Sequence, residues 1–317
     1  MVKFLALRLA GMVGILFVIS ALVFIVTELL PGDVASMILG TEATPEELAN
    51  LRRLMALDEP AWMRFSGWLG GILVGDFGES LRMQRPVGPI LAERLVNSLA
   101  LTGVSFLFVV VGGFALALIT ALREGSRLDR VLTSTAVVGT SLPEFVSGTL
   151  LVLLFAGGVF SILPPSGYEG FQHGIGDALA HMVLPAATLG LVLAAYVGRV
   201  ARASLVEVMH SDYVRAARLK GLPEWRVVLT HALPNALVPS LTVLSMNLGW
   251  MFGGIVVVEE IFVFPGIGRL MLFGIAERDW PVIQACAVVV ASVYVIGNVI
   301  GDAAAIIADP RLRESQT

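Results

Sequence analysis

The reactive side chains of this 317-residue chain are few and badly placed for catalysis: one cysteine, four histidines and two lysines. His173, His181, His210 and His231 lack the spacing that gathers ligands around zinc, and no Cys-x-x-Cys pair occurs. Neither Lys3 nor Lys220 follows the glycines of a phosphate-cradling loop, so the chain does not hydrolyse ATP by that route. No serine occupies a Gly-x-Ser-x-Gly turn. Cys286 lies in the last apolar run and reads as a small buried hydrophobe. The residues predict no catalytic, cofactor-binding or metal site in this chain. One ionisable residue stands well inside an apolar stretch, Glu144, directly after Pro143. Proline loosens a helix locally, and a carboxyl in lipid is costly unless it faces protein or water. Two roles stay open for Glu144: lining a watery pathway, or making a structural hydrogen bond.

The elements that would position such residues are membrane spans. Hydrophobic residues make up 56% of the chain, charged residues 15%, and mean hydropathy is +0.86. A soluble protein of this size needs more polar surface than that. Uncharged stretches cover Leu9–Thr27, Leu95–Leu122, Phe145–Tyr168, Ala178–Gly198, Val227–Val258 and Trp280–Gly301. Each supplies the roughly 20 residues that cross the hydrocarbon, and the third span is expected to begin near Val131 with Glu144 inside it. The first run is longer than a signal peptide's apolar region and continues into Glu28 and Pro31-Gly32-Asp33, so it reads as a retained span. The expected fold is all-α and polytopic, with about six transmembrane helices. Its divisions are an N-terminal transmembrane helix (1–30), an extracytoplasmic segment (31–97), a five-helix core (98–307) and a tail (308–317).

Charge orients the chain. With the N-terminus inside, thirteen basic residues fall on inner segments: Lys3, Arg8, Arg123, Arg127, Arg130, Arg199, Arg202, Arg215, Arg218, Lys220, Arg226, Arg311 and Arg313. The two short outer loops hold only Arg269 and Arg278, which places both termini in the cytoplasm. The net charge of −4 comes with no basic face for nucleic acid. In the outer segment, Thr44-Pro45-Glu46-Glu47 reads as a helix start leading to a Leu48, Leu51, Leu54 stripe. A second short helix carries Trp62, Phe65, Trp68 and Leu69 up to a Gly70-Gly71 break, and both helices are expected to lie against the outer membrane face. Ile162–Tyr168 reads as a rigid exit to the outside. The apolar loop Phe262–Gly268 reads as a packed or re-entrant turn, serving either packing or a pathway mouth. Gly249 and Gly253, four apart, permit close helix approach and suggest a packing seam, with contact to solute as the other reading.

The longest inner segment, about 201–232, is the most specific feature. Ser211-Asp212 can cap a helix containing Tyr213, Val214, Ala216 and Ala217, with Arg218 and Lys220 suited to its negative end. Gly221 supplies a left-handed position, and Leu222-Pro223 ends the element and launches another that leads into Leu233-Pro234. Such a helix fits a partner's groove; an ordinary basic loop fits the spacing equally.

Ala216-Ala217, three residues, Gly221, nine residues and then His231-Ala232-Leu233-Pro234 resembles the Glu-Ala-Ala signature of bacterial ABC importer permeases. The wider match is to the first permease subunit of dipeptide, oligopeptide and nickel importers. It is carried by Arg8-Leu9, Pro31-Gly32-Asp33, Asp212 through Gly221, Phe264 through Leu270, Arg278-Asp279-Trp280-Pro281 and Asp309-Pro310-Arg311. Arg215 stands where the signature has glutamate, and His231 where it has an apolar residue. The resemblance implies a non-catalytic subunit of a binding-protein-dependent importer in the bacterial inner membrane, carrying di- or oligopeptides, nickel or another small solute. Its implied partners are a second homologous permease, two ATPase subunits that hold ATP and magnesium, and an extracytoplasmic solute-binding protein. The coupling residues it implies are Asp212, Tyr213, Arg215, Ala216, Ala217, Lys220, Gly221, Leu233 and Pro234. A secondary carrier without an ATPase is the alternative, but it would need charge relays or an inverted repeat, and neither is evident.

The orientation is testable. Reporter fusions at Ser126, Leu219 and the C-terminus should read as cytoplasmic and a fusion at Ala49 as external. A cytoplasmic signal at Ala49 would overturn the topology.

Overall fold

The computed structural model describes residues 2–29, 44–54, 58–157 and 160–308. Pro31-Gly32-Asp33, Asp309-Pro310-Arg311, Arg313 and the side chains of Lys3, Arg8, Leu51 and Leu54 lie outside that description. The described residues are almost wholly helical: α1 (Val2–Leu29), α2 (Pro45–Leu54), α3 (Ala61–Leu73), α4 (Val87–Ala121), α5 (Arg127–Ser141) and α6 (Glu144–Gly157) come first. They are followed by α7 (Ile175–Met209), α8 (Asp212–Leu219), α9 (Glu224–Met246), α10 (Met251–Ile261), α11 (Ile267–Glu277) and α12 (Trp280–Ala308). Five helices, α1, α4, α7, α9 and α12, are long and apolar enough to cross a membrane, and α5 with α6 makes a sixth span if the bent pair is counted as one. At about 1.5 Å per residue, the 35 residues each of α4 and α7 reach about 52 Å, well beyond the roughly 30 Å of hydrocarbon.

Two expected spans are not continuous. The third begins at Arg127 and turns by 113° between α5 and α6, so Glu144 opens a new helix instead of lying within one. Pro143 forces this: it pushes Leu142 to extended φ −83°, ψ 129° and occupies the N-cap of α6 itself. The run Val227–Val258 also divides, with α9 ending at Met246 and α10 starting at Met251. Within α9, residues Val227–Ala232 are π-helical. Pro234 has no N–H to give the Thr230 carbonyl, and the ladder shifts around the missing rung.

The chain forms two compact units, Met1–Val96 with Gly266–Ser292, and Asn97–Pro265 with Val293–Thr317. In the first, the start of α2 is a reciprocal cap. Thr44 N–H and hydroxyl both donate to Glu47 Oε2 at 2.9 and 2.8 Å, and Glu47 N–H returns a bond to Thr44 Oγ1 at 3.3 Å. The backbone bond, then the hydroxyl bond, holds the Glu47 pKa below its ordinary value. Helix α3 continues through Gly70-Gly71 to Leu73 and is ended by Gly75 at φ +83°, with Asp76 N–H closing on the Gly71 carbonyl at 2.9 Å and Gly75 N–H on that of Ile72 at 3.1 Å. It packs on the flank of α1, where Phe65 meets Phe24 and Phe17 at 5.3 and 5.9 Å and Trp68 meets Phe24 at 5.9 Å. Arg64 also pairs with Glu28. A tight turn, Ser80–Arg85, is fastened to the start of α12 by the buried Asp279, which accepts from Ser80 Oγ at 2.5 Å and Arg82 N–H at 3.2 Å. The core there is Val87, Leu91, Ile267, Leu270, Val282, Ala285 and the buried Cys286.

The second unit is built on α7, which supplies Met182, Leu184, Leu189, Leu193 and Val197 to the main core. The close approach of α7 to α4 is made by small residues. A Cβ on Gly190 would meet Phe108 at 2.9 Å and the Ser105 carbonyl at 3.1 Å, and one on Gly198 would meet Leu116 at 2.9 Å and the Gly113 carbonyl at 3.0 Å. Gly113 abuts Ala194 in return, with a Cβ there 3.0 Å from the Ala194 carbonyl. Gly190, Ala194 and Gly198, each four apart, therefore form the seam. Gly249 does abut a side chain, Asn298, but Gly253 has nothing within 4 Å, and the two do not share one helix. Ile162–Tyr168 and the Phe262–Phe264 turn meet through a stack of Tyr168 on Phe264 at 4.4 Å, with Phe262 and Phe264 both buried. The packing reading of that apolar turn is the one the fold displays.

Gly190→Leu or Gly198→Leu should destabilise the purified protein by about 1–3 kcal/mol through overpacking, read as a lowered unfolding midpoint. Gly253→Ala should leave the midpoint in place; equal losses at all three would show that the seam is not where these helices meet.

Candidate functional site

The inner reversal begins where α7 ends. Ser211 stands at the N-cap of α8 with φ −72° and ψ 153°, but its hydroxyl donates to the Val208 carbonyl at 2.5 Å and makes no cap bond to α8. The expected side-chain cap thus closes the end of α7 instead. Asp212 supplies the acid in the first turn of α8, and Arg218 the base in its last. Lys220 closes the helix and Gly221 follows with φ +75°, the left-handed geometry the spacing called for. Across the turn Arg218 grips Glu224, Nη2 to Oε1 at 2.6 Å and Nε to Oε2 at 3.1 Å. That bond pushes the Arg218 pKa further up, so the guanidinium stays charged throughout the ordinary pH range. Its Nη1 also donates to the Met209 carbonyl at 3.3 Å, tying both ends of α8 and the following turn into one piece.

The helix has two faces. Val214 and Ala217 are buried with Leu205, Ala121, Val227, Ala232 and Ala236. Asp212, Tyr213, Arg215, Ala216, Leu219 and Lys220 are exposed. The two alanines of the signature therefore separate: Ala216 faces out, and Ala217 anchors the helix to its own chain. Tyr213 Oη accepts at 3.2 Å from Nδ2 of Asn235, the residue directly after Leu233-Pro234, so the outward ring is braced from α9. Leu233 is half-buried and Pro234 exposed at the start of the regular part of α9. His231 is half-buried, and its carbonyl takes a bond from Asn235 Nδ2 at 3.1 Å.

Two further features were not read from the sequence. Asp129 on α5 is buried and takes Arg202 of α7 in a two-pronged grip, Nε to Oδ1 at 2.8 Å and Nη2 to Oδ2 at 2.7 Å. Gly125 N–H and Thr133 Oγ1 fill its remaining acceptor positions at 3.0 and 3.2 Å. Ser126-x-x-Asp129 is a visible cap pattern, and Ser126 Oγ does accept from Asp129 N–H at 3.1 Å; the partner on α7 is 73 residues away and leaves no local signal. The second is Glu259, fully buried on α10 and bonded by Ser98 Oγ at 2.5 Å. Glu144 is thus not the only acid held among apolar helices. Its half-buried carboxyl lies over Gly254, so close that a Cβ there would collide with both oxygens, and among the described residues it meets no donor. Glu144 and α8 are not brought together. Among the described residues no group of three His, Cys, Asp or Glu side chains is placed to hold a metal.

The family model for the inner membrane component of binding-protein-dependent transport systems matches residues 113–314, and that for the N-terminal part of such membrane components matches residues 1–102. The probable peptide ABC transporter permease protein y4tP of Sinorhizobium fredii is 35% identical over 306 residues, 96% of this chain and 97% of its own length. The glutathione transport system permease protein GsiC of Escherichia coli is 36% identical over 313 residues, 99% of each chain. A solved amino acid ABC transporter aligns over 70% of this chain and 94% of its own at 19% identity and a TM-score of 0.45, too slight a likeness to add to these. With both halves of the chain matched in order and relatives aligned from end to end, this protein belongs to the binding-protein-dependent inner membrane components, as an ABC importer permease of the peptide family.

Proposed function

We propose that this chain forms half of the translocation pathway of an ATP-driven importer of di- or oligopeptides, and that α8 is the element a separate ATPase moves. The observation that carries the coupling role is the two-faced build of α8. Val214 and Ala217 anchor it, while Tyr213, Ala216 and Leu219 project, with Leu219 82% exposed. A projecting apolar residue of that size beside a small alanine is what a groove on another subunit can grip. Trp225, 65% exposed, extends the same surface past the reversal. Asp212, Arg215 and Lys220 rim it with charge, which suits a soluble partner. The permeases named for peptide and for glutathione support the peptide class. A second related permease, a pair of ATPases holding ATP and magnesium, and an external binding protein complete the proposed assembly; this chain itself does no chemistry. Both termini face the cytoplasm in this arrangement, as the basic residues ask. Glu144 faces the pathway in the proposed assembly, because it is half-buried, carries no partner among the described residues and sits at a break between helices.

Gly221 provides the sharpest test. A Cβ there would meet nothing within 4 Å, so a substitution acts through backbone strain alone. A residue with a Cβ adopts this geometry at a cost of about 1–2 kcal/mol, and a β-branched one at more. In the reconstituted complex, Gly221→Val should keep subunit stoichiometry and basal ATPase activity but lose most uptake and most stimulation by loaded binding protein. Gly221→Asn, which tolerates the left-handed region, should retain both; normal coupling in the valine variant would remove α8 from the mechanism. Glu144→Gln should leave assembly intact while changing uptake or its dependence on pH; a loss of assembled complex ahead of uptake would make the residue structural.

A further inference from the structure

Arg199 and Arg202 stand one helical turn apart on α7, and only one of them is satisfied. Arg202 spends Nε and Nη2 on Asp129. Arg199 makes no ion pair or hydrogen bond among the described residues, and its Nε is buried with no acceptor. A guanidinium nitrogen withdrawn from water without an acceptor is costly, and an unpaired cation at the end of an apolar run calls for an anion. The structure offers a space for one. Arg199 lines a cavity of about 200 Å³ together with Thr140, Tyr196, Asn247 and Trp250.

The cavity lies where both interrupted spans give way. Thr140 is in the last turn of α5, just before the bend at Leu142-Pro143, and Asn247 and Trp250 form the break between α9 and α10. Non-helical backbone at membrane depth is tolerated where it lines a cavity, and discontinuous helices are a common way to build a solute site. The polar groups left over are mixed. Thr140 donates to Val137 and Asn247 Nδ2 to Val243, at 2.8 Å each, which leaves the threonine oxygen and the Asn247 carbonyl as acceptors. The Tyr196 hydroxyl is a hydrogen-bond donor on the same wall. Trp250, 42% exposed, adds an apolar wall. One water needs only about 10–15 Å³, so the space is large enough for a terminal residue.

We infer that this cavity holds the terminal carboxylate of a peptide in passage, with Arg199 gripping it through the terminal nitrogens of its guanidinium. Tyr196 donates to the carboxylate, Asn247 and Thr140 accept from the peptide's N–H groups, and Trp250 covers the side chain. The inference rests on the peptide reading proposed above and extends it to a named subsite.

The test uses the whole complex in proteoliposomes, with saturating loaded binding protein. Uptake is measured for a panel of di- and tripeptides, each as the free acid and as its C-terminal amide. Arg199→Gln should lower free-acid uptake by about tenfold to a hundredfold, the range for losing a charged hydrogen-bonded partner, and leave amide uptake near wild type. The preference for acid over amide should therefore shrink, while subunit stoichiometry and basal ATPase activity stay normal, and Arg199→Lys should recover part of it. An equal fall for acid and amide, or an unchanged preference, would overturn the subsite while leaving peptide import standing. Vesicles with and without phosphatidylglycerol separate the other anion that a guanidinium could hold. If wild-type uptake requires the anionic lipid and Arg199→Gln abolishes that requirement, the cavity holds a headgroup phosphate and the inference fails. Absence of uptake for every peptide by the wild-type complex would remove the peptide reading and the subsite with it.

Discussion

Inside hydrocarbon no water can take up a free N–H or carbonyl, so each interruption of a helix there must be covered by protein. This chain interrupts its helices at several points, and two of them show how the cover is made. At Leu142-Pro143 the residue that breaks the ladder also lacks the donor that would be orphaned. At the turn after α10, the Phe264 N–H returns to the Glu259 carbonyl at 2.8 Å, and Asn97 Nδ2 reaches the Pro265 carbonyl at 2.9 Å. The fully buried Glu259 carboxylate takes the Ser98 hydroxyl in the same place. Phe262 and Phe264 then seal the turn, and Tyr168 stacks over it. The apolar loop is a plug built around buried polar groups.

The same accounting separates structural charges from available ones. Asp129 and Arg202 satisfy each other and the cap of α5, and Asp279 holds the Ser80 turn to α12. These pairs fix geometry; breaking one partner would strand the other, which costs more than the pair contributes over a well-packed apolar substitute. Arg199 and Glu144 stand outside this pattern, each lacking a partner among the described residues and each beside a break. The surface proposed for coupling differs again: α8 is locked by Arg218 to the turn that follows it, while Tyr213 and Leu219 are left exposed on its outer face.

The spans were legible because the absence of charge over some 20 residues is a coarse signal that survives local detail. The breaks within them were not. Val227–Val258 is apolar from end to end, and Asn247 through Trp250 contains no proline to mark where the helix stops. Glu259 looked like the charge that ends a run, since its burial depends on Ser98, 161 residues earlier. Gly249 with Gly253, and Gly190 with Ala194 and Gly198, are small residues at the same four-residue interval, and spacing cannot say which set faces another helix. The reversal at Gly221 was readable because its determinants, glycine, proline and flanking charges, are all local. The split between Ala216 and Ala217 needed the buried contacts of the body beneath them.

The glycine seam gives α7 a mechanical property. From Gly198 to Met209 the helix extends about 16 Å toward α8, and from Gly190 back to Ile175 it extends about 22 Å the other way. Backbone contact holds α7 at its middle, while side chains hold its two ends: Met182 and Leu184 in the main core, and Leu205 with the Arg202–Asp129 pair toward α8. Pro185 leaves the His181 carbonyl without its helical donor, so the ladder is weakest in the stretch toward Ile175.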